Sequence, residues 1–446
     1  MSDTPSLQWS FSRVALAPLR WVERARGRRR SLLVLLYFMV GSGIGMIVYR
    51  QARLVGLPNV GDPFDPTPLL TLRVADEKNA FVLYREARSL SHHDKAAELR
   101  LLNSPYAWPA PTDTEGLAYL ERNEEALALW KRGSERPDAL ERPIGELSFD
   151  SLLPDIQEHR HFVRLACLHV SRCQSEGDLA GAWEWLRAIL RGSRLVGRNG
   201  TIIARLVGTA EYGVAVNLAR PWMADPNVGA HLLRQALRDV EEINALTAPV
   251  HEALQVEYLT VMKGLEGPEK IRGFFLNEPY SADVFDRAAW YNHLPAYHHA
   301  RWFLNNEPEC SRRLTRLAFS NWLAHSDDPS DERPALIGAQ DKPVQARPGS
   351  PDAPRFFDVA PPAGPGPRAL AARVERALLA PWLLPTQSAF LRTCDRERGL
   401  RAGLVMSLAQ EVFRREHGRD AASSDELLGD VLGQFPDGHK PTEDTP

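Results

Sequence analysis

The sequence contains none of the short motifs that announce a common catalytic mechanism. There is no Walker phosphate loop, no HExxH and no G-x-S-x-G, so P-loop hydrolysis, zincin-type proteolysis and nucleophile-elbow esterase chemistry have no local signature. The only clustered glycines, Gly41, Gly43 and Gly45, lie in an apolar run and cannot form a dinucleotide turn. Cysteine is scarce. Cys167, Cys173, Cys310 and Cys394 include no CxxC, which removes the zinc knuckle and the thioredoxin-type pair. On one helix Cys167 and Cys173 would stand about 9 Å apart along the axis, beyond disulfide reach. Any bridge would therefore join one of them to Cys310 or Cys394, and buried thiols are the default expectation. Strand-like alternation bounded by turn signals is almost absent, so the expected fold class is all-α.

An excess of charge is missing too. The chain has 54 basic against 57 acidic residues, a net of −3, which argues against a nucleic-acid binder read by bulk electrostatics. Hydrophobic residues at 44% exclude a disordered chain. The near-neutral total conceals an asymmetry. Residues 1–30 carry seven Arg against Asp3 and Glu23, a local +5, and the remaining 47 basic and 55 acidic residues sum to −8.

Between these two regions lies the one long hydrophobic run. Ser31 to Tyr49 is nineteen residues without a charge, roughly 29 Å as a helix, which matches a bilayer core of about 30 Å. Arg20, Arg24, Arg26, Arg28, Arg29 and Arg30 precede it, and only Arg50 and Arg53 follow closely. Such an excess holds a flank in the cytoplasm, so the expected topology is a cytoplasmic N-terminus with the bulk of the chain extracytoplasmic. The run is longer than a signal-peptide core and no small-x-small site follows Tyr49, which favours an uncleaved anchor. Gly41 and Gly45 form a GxxxG, a spacing that permits two such helices to pack closely and the chain to self-associate.

The expected organisation is a basic cytoplasmic segment 1–30, a transmembrane helix 31–49 and an extended stalk 50–75 containing Pro58, Pro63, Pro66 and Pro68. An all-α domain 76–325 follows, with Asp76 as a cap and helical periodicity at 114–132, 155–175, 179–219, 227–243, 250–265, 282–304 and 309–325. Residues 326–368 hold ten prolines and read as a linker. A C-terminal helical module 369–446 ends with Gly418 as a helix stop and with Ser423 and Glu426 at capping-box spacing. Glu176-Gly177-Asp178-Leu179, with Ala182 and Leu186, matches the turn and second helix of a tetratricopeptide repeat. Only one such copy is visible, so the expected architecture is a helical-hairpin, TPR-like array preceded by one transmembrane helix.

Several stretches carry a resemblance. They are Gly56-Leu57-Pro58-Asn59-Val60-Gly61-Asp62-Pro63-Phe64-Asp65, Asn79-Ala80-Phe81, Gly177-Asp178-Leu179 to Trp185, and Asn321-Trp322-Leu323-Ala324. Phe413-Arg414-Arg415-Glu416-His417-Gly418 with Ser424-Asp425-Glu426-Leu427 completes the set. Together they resemble a group of bacterial single-pass membrane-anchored proteins with an R-x-E-H-G / S-x-D-E-L end module and no assigned activity. Asp420-Ala421 stands where that module usually has Tyr-Pro. The resemblance implies localisation and architecture, and no mechanism.

Candidate binding residues form two groups. Arg187, Arg191, Arg194, Arg198 and Arg205 follow spacings of 4, 3, 4 and 7. On a continuous helix they fall within about 60° of one another, opposite Trp185, Leu186, Ile189 and Val196. A guanidinium row of this kind either pairs with local acids or takes anions, and Gly197 and Gly200 are positioned to break it before Arg205. The second group, Trp290 to Trp302, includes His293, His298, His299 and Trp302, an aromatic–histidine set that lines either a helix junction or a pocket. Glu158-x-x-His161 is half of a carboxylate-bridged di-iron motif, but no second ExxH occurs. His169 and Cys173, at i and i+4, would need two further ligands to hold zinc. No metal and no cofactor is therefore expected from sequence. The favoured reading is non-enzymatic: a membrane-anchored interaction or scaffold module whose partners are the membrane and a cell-envelope protein, with no nucleic acid. The alternative is an extracytoplasmic hydrolase or metal-dependent enzyme using residues 290–302.

Overall fold

The computed structural model describes residues 27–57, 59–102, 106–148, 154–266, 302–307, 309–328 and 380–436. They are helical, with no β-structure beyond two isolated bridges among them. They fall into two compact units, Met1–Pro58 with Phe275–Cys310 and Asn59–Phe274 with Ser311–Pro446.

The first unit is dominated by α1 (Arg28–Leu54). Its Arg29–Leu54 span is long and apolar enough to cross a membrane, with mean hydropathy 2.2 and no part of it buried by protein. Leu32, Phe38 and Val48 are all more than 60% exposed. At its end Arg50 donates to Asn306 Oδ1 at 2.8 Å, Asn306 Nδ2 returns a bond to the Arg50 carbonyl at 3.2 Å, and the guanidinium lies 4.0 Å over the Phe303 ring.

The second unit contains α2 (Thr67–Leu70), α3 (Ala80–Leu90), α4 (Lys95–Leu101), α5 (Thr114–Arg122) and α6 (Glu124–Ser134). After a 3₁₀ turn at Ile144–Glu146 come α7 (Pro154–Ser175), α8 (Leu179–Val196), α9 (Ile202–Ala224), α10 (Ala230–Ala245) and α11 (Val250–Glu266). Then follow α12 (Glu309–His325), α13 (Ala380–His417) and α14 (Ser424–Leu427). Helix α8 is central and packs against α6, α7, α9 and α10. It turns from α7 through Gly177 at φ 78°, while Asp178 accepts from the Gly181 amide at 2.8 Å. A positive φ suits glycine, and the aspartate satisfies an orphan amide, so the anticipated hairpin turn forms for local reasons. Gly208 lets α8 and α9 approach: a Cβ there would stand 2.2 Å from the Ser193 carbonyl oxygen.

Several boundaries differ from the sequence expectation. The stretch 179–219 is two helices, broken at residues 197–201, where Asn199 takes φ 53° and the Thr201 hydroxyl accepts from Ala204 N. The cap of α3 is Asn79, not Asp76. Its Oδ1 accepts from Phe81 N and from Leu140 N, and its Nδ2 donates to the Leu140 carbonyl. That site is 6% exposed, so it suits a neutral amide and would desolvate a carboxylate. Residues 59–75 are not a free stalk, because Leu69, Leu72 and Val74 pack on Leu140, Ile144, Leu147 and Val256. The C-terminal segment is not a separate module either. Helix α13 lies on α9 and α10, and Leu404, Val405, Leu408, Ala409, Val412 and Phe413 join the same core as Trp130, Trp183 and Trp222. Gly418 ends α13 at φ 69° as expected. Ser423 makes no side-chain cap, and α14 stops at Leu427 rather than near Leu432. Glu426 instead accepts from the Ala422 amide and pairs with Arg419. Helix α9 also has the length and hydropathy of a span, but it is 61% buried within this body and is a core helix.

Candidate functional site

Two polar clusters are built from residues far apart in sequence. In the first, the Glu397 carboxylate of α13 accepts from Arg194 of α8 through Oε1, and from Arg205 of α9 at 2.9 Å and Thr209 at 3.0 Å through Oε2. All three ionic side chains are enclosed, at 0% exposure for Arg194, 3% for Arg205 and 1% for Glu397. Arg194 also lies 4.4 Å over the Tyr212 ring. Burial alone would raise the Glu397 pKa, but the Arg194 and Arg205 guanidiniums prevail and hold it at about 2. A sealed ionic centre of this kind locks α13 to α8 and α9.

The arginine row is therefore not one solvent-facing stripe. Arg187 pairs with Glu135 at 3.1 Å and Glu184 at 3.3 Å. Arg191 donates to the Ser134 carbonyl at 2.9 Å and reaches Glu135 at 3.6 Å. Arg198 pairs with Asp138 at 3.2 Å. Arg194 and Arg205 turn inward. The reason is the central position of α8: neighbours cover the side opposite its apolar face, and they supply the carboxylates. Gly41 and Gly45 have no atom within 4 Å of where a Cβ would stand. Trp302 is half-buried, while His293, His298 and His299 lie outside the described residues. Among the cysteines, Cys167, Cys173 and Cys394 are not in disulfides. Burial raises the Cys167 thiol to about 12, so that thiol is inert.

The second cluster surrounds the Glu158-x-x-His161 face of α7. Ser91 and His93 come from the α3–α4 connection, Glu98 from α4 and Tyr119 from α5. His93 Nδ1 lies 2.7 Å from Glu98 Oε1, and its Nε2 lies 3.1 Å from Glu158 Oε2. Ser91 donates to Glu158 Oε1 at 2.6 Å. The Tyr119 hydroxyl stands 3.3 Å from both Glu98 Oε1 and His161 Nε2, and the two imidazole centroids are 4.7 Å apart. One donor atom each from His93, Glu98 and His161 lies within 4.8 Å of the others. Burial lowers the His161 pKa, so that ring is neutral at neutral pH. Burial opposes charge on His93 as well, but Glu98 and Glu158 outweigh it and raise that pKa.

The other histidines of α7 pack. His159 Nδ1 meets Glu211 Oε1 at 3.0 Å, and the pair is sealed at 0% and 5% exposure beneath the Tyr84 and Trp130 rings. His169 lies against Trp108 and Trp185 at 5.7 and 5.0 Å, and burial depresses it to about 4. The His169–Cys173 pair, which needs two further ligands to hold zinc, gains none among the described residues. His93 and Glu98 could not be found by sequence reasoning, because neither falls in a motif with Glu158. The nearest signal was the unpaired half-motif itself. A 720 Å³ cleft lined in part by Arg220, Gln410, Glu411 and Asp425 shares no residue with either cluster. Comparison of the chain with protein-family models, with curated proteins and with solved structures finds no match in any of the three.

Proposed function

We propose that the protein is a membrane-anchored α-helical interaction module. Helix α1 spans the bilayer with the basic segment 1–30 in the cytoplasm, and the helical body lies outside and engages a cell-envelope protein. The observation that carries this reading is the bare apolar surface of α1. Thirteen large hydrophobic side chains between Leu32 and Tyr49 are exposed. At about 1.5–3 kcal/mol for each one buried, their transfer into lipid is worth on the order of 20–40 kcal/mol, all of it forgone if the helix remains in water. The charge asymmetry across that span sets the orientation.

The scaffold half of the reading rests on the antiparallel hairpin α7–α8, whose Gly177 and Asp178 turn has repeat-like chemistry, and on the further layers α9 and α13. Such TPR-like stacks expose extended surfaces suited to a partner chain. The full chain is expected to stay in the membrane pellet through alkaline carbonate, and removal of residues 1–54 is expected to release it. Protease added to right-side-out cells should digest the body and spare the N-terminus. Recovery of the full chain in the carbonate supernatant sinks the anchor. Photo-crosslinkers placed across the body that return no discrete adduct in native membranes sink the scaffold.

A further inference from the structure

We infer that the cluster at the outer end of α7 is a divalent transition-metal site: His93, Glu98 and His161 bind one zinc ion, and Glu158 orients His93 from behind. The donor set is two imidazoles and one carboxylate on three separate elements, the α3–α4 connection, α4 and α7. Two histidines and one carboxylate leave a fourth position open, an arrangement zinc accepts. With metal–ligand bonds of about 2.0–2.1 Å, tetrahedral ligand atoms stand about 3.3 Å apart. The Tyr119 hydroxyl already has that spacing, 3.3 Å to both Glu98 Oε1 and His161 Nε2. It supplies the fourth corner, either directly or through a water it holds. His93 Nδ1 stands 2.7 Å from Glu98 Oε1, closer than that spacing, so the His93 ring must turn to open that edge to the ion. The His93 side chain is 52% exposed and sits on a connection between helices, so the movement is a rotation at the surface.

Two independent features separate this cluster from an ordinary hydrogen-bond network. The first is the outer shell. With Nδ1 on the metal, His93 Nε2–H points at Glu158 Oε2, 3.1 Å away, and Ser91 fixes the other Glu158 oxygen at 2.6 Å. A carboxylate behind a ligating histidine fixes its tautomer and raises its basicity. The second is the lack of a permanent cation. Asp155 has Arg88 at 2.9 Å and Asp113 has Arg100 at 2.8 Å, whereas among the described residues neither Glu98 nor Glu158 has an arginine or lysine ion pair. Two carboxylates converging on two imidazoles without a guanidinium favour a divalent ion.

The test uses the full chain in detergent, stripped with a chelator and titrated with zinc against a chromophoric competitor. One equivalent is expected to bind with a micromolar or tighter Kd. His93→Ala and His161→Ala should each weaken it at least 100-fold, and Glu158→Gln by 10- to 100-fold, as for other outer-shell partners. His93→Ala lies on the exposed connection and tests the site without disturbing the core. Cobalt at the site should give the visible bands of a tetrahedral ion, lost in His93→Ala. Glu416, His417 and Asp430 also bring three donor atoms together, but all three are exposed, and His417→Ala should leave the affinity unchanged. Failure of the stripped wild type to take up one equivalent of zinc, equal affinity in His93→Ala, or loss of binding on His417→Ala overturns the assignment.

Discussion

Removing the Glu397 carboxylate should be among the most damaging single changes to this fold. Its two oxygens satisfy Arg194, Arg205 and Thr209, and the Arg401 Nε stands 3.9 Å away. In Glu397→Ala the two guanidiniums of Arg194 and Arg205 stay where they are, 0% and 3% exposed, with no counter-charge. Deleting one partner of a buried ion pair costs about 3–5 kcal/mol. With two arginines stranded by one deletion, the upper half of that range is expected. A second estimate comes from the proton. The carboxyl is held at about 2 against an ordinary 4.5, and at about 1.4 kcal/mol per pKa unit this amounts to about 3 kcal/mol. The two figures agree in size, and either is a large fraction of a total stability of about 5–15 kcal/mol.

The sign of the pH dependence follows from the direction of the shift. The folded-state pKa lies below the unfolded one, so the contribution is complete above pH 4.5 and disappears as pH falls from 4.5 toward 2. Urea unfolding of the detergent-solubilised chain, followed by tryptophan fluorescence, should show Glu397→Gln about 3 kcal/mol less stable than wild type at pH 7. That gap should shrink to about 1 kcal/mol at pH 2.5 and close only below pH 2. A gap below about 0.5 kcal/mol at pH 7, or one that is the same at both pH values, would refute a buried, ionised Glu397. Replacing all three members together, Arg194→Met, Glu397→Leu and Arg205→Met, should recover most of the loss, since apolar substitutes strand neither buried guanidinium and leave only the more exposed Arg401 without its carboxylate.

Three further outcomes are expected. Gly208→Ala places a methyl 2.2 Å from the Ser193 carbonyl oxygen, so α8 and α9 must separate at a cost of about 1–3 kcal/mol; an unchanged melting temperature contradicts that close approach. Gly177→Ala meets no atom within 4 Å but inherits φ 78°, so its cost is conformational alone, about 1–2 kcal/mol, and Gly177→Asn should lose less. Trp183 is fully buried, stacks on Trp222 at 4.9 Å and donates to Asp239 at 2.7 Å; Trp183→Ala should cost about 3–5 kcal/mol in urea unfolding, and a loss under 1 kcal/mol would place it outside the core.

Legibility in the sequence followed the range of the interaction. Helix α1 was plain because nineteen contiguous residues carry the signal. The α7–α8 turn was plain because Gly177 and Asp178 act within four residues of each other and of Gly181. The Gly418 stop has the same local origin. The cap of α3 was misplaced because Asn79 is selected by Leu140, 61 residues away. The stalk expected at 50–75 rested on its prolines, yet Leu69, Leu72 and Val74 meet a surface formed by Ile144 and Val256. The arginine row was legible as a row, but its surroundings depended on α13, which brings Glu397 from 203 residues beyond Arg194. No local spacing encodes such a partner.

Helix α7 shows how one segment supports both kinds of polar cluster. His159 and His161 are two residues apart, about 200° around a helix, and so face opposite sides. His159 turns toward α9, where Glu211 answers it in a pair sealed at 0% and 5% exposure; no ion from solvent can reach that pair. His161 turns toward α5 and the α3–α4 connection, where its neighbour His93 is half in solvent. Burial is similar for the two α7 histidines, at 1% and 7% residual exposure, so burial does not distinguish them. Access and counter-charge do. Glu397 is closed over by two arginines, and its cluster can only hold helices together. Among the described residues Glu98 and Glu158 pair with no arginine and lie beside an exposed imidazole, so a cation from outside can supply a permanent counter-charge. Placing Arg at position 93 therefore separates a structural role from a ligand role. His93→Arg should raise the melting temperature of the stripped protein, by giving Glu98 and Glu158 an internal cation, while abolishing zinc binding. Stabilisation with zinc affinity intact would mean that His93 is not a ligand, and destabilisation would mean that the two carboxylates do not lack a counter-charge.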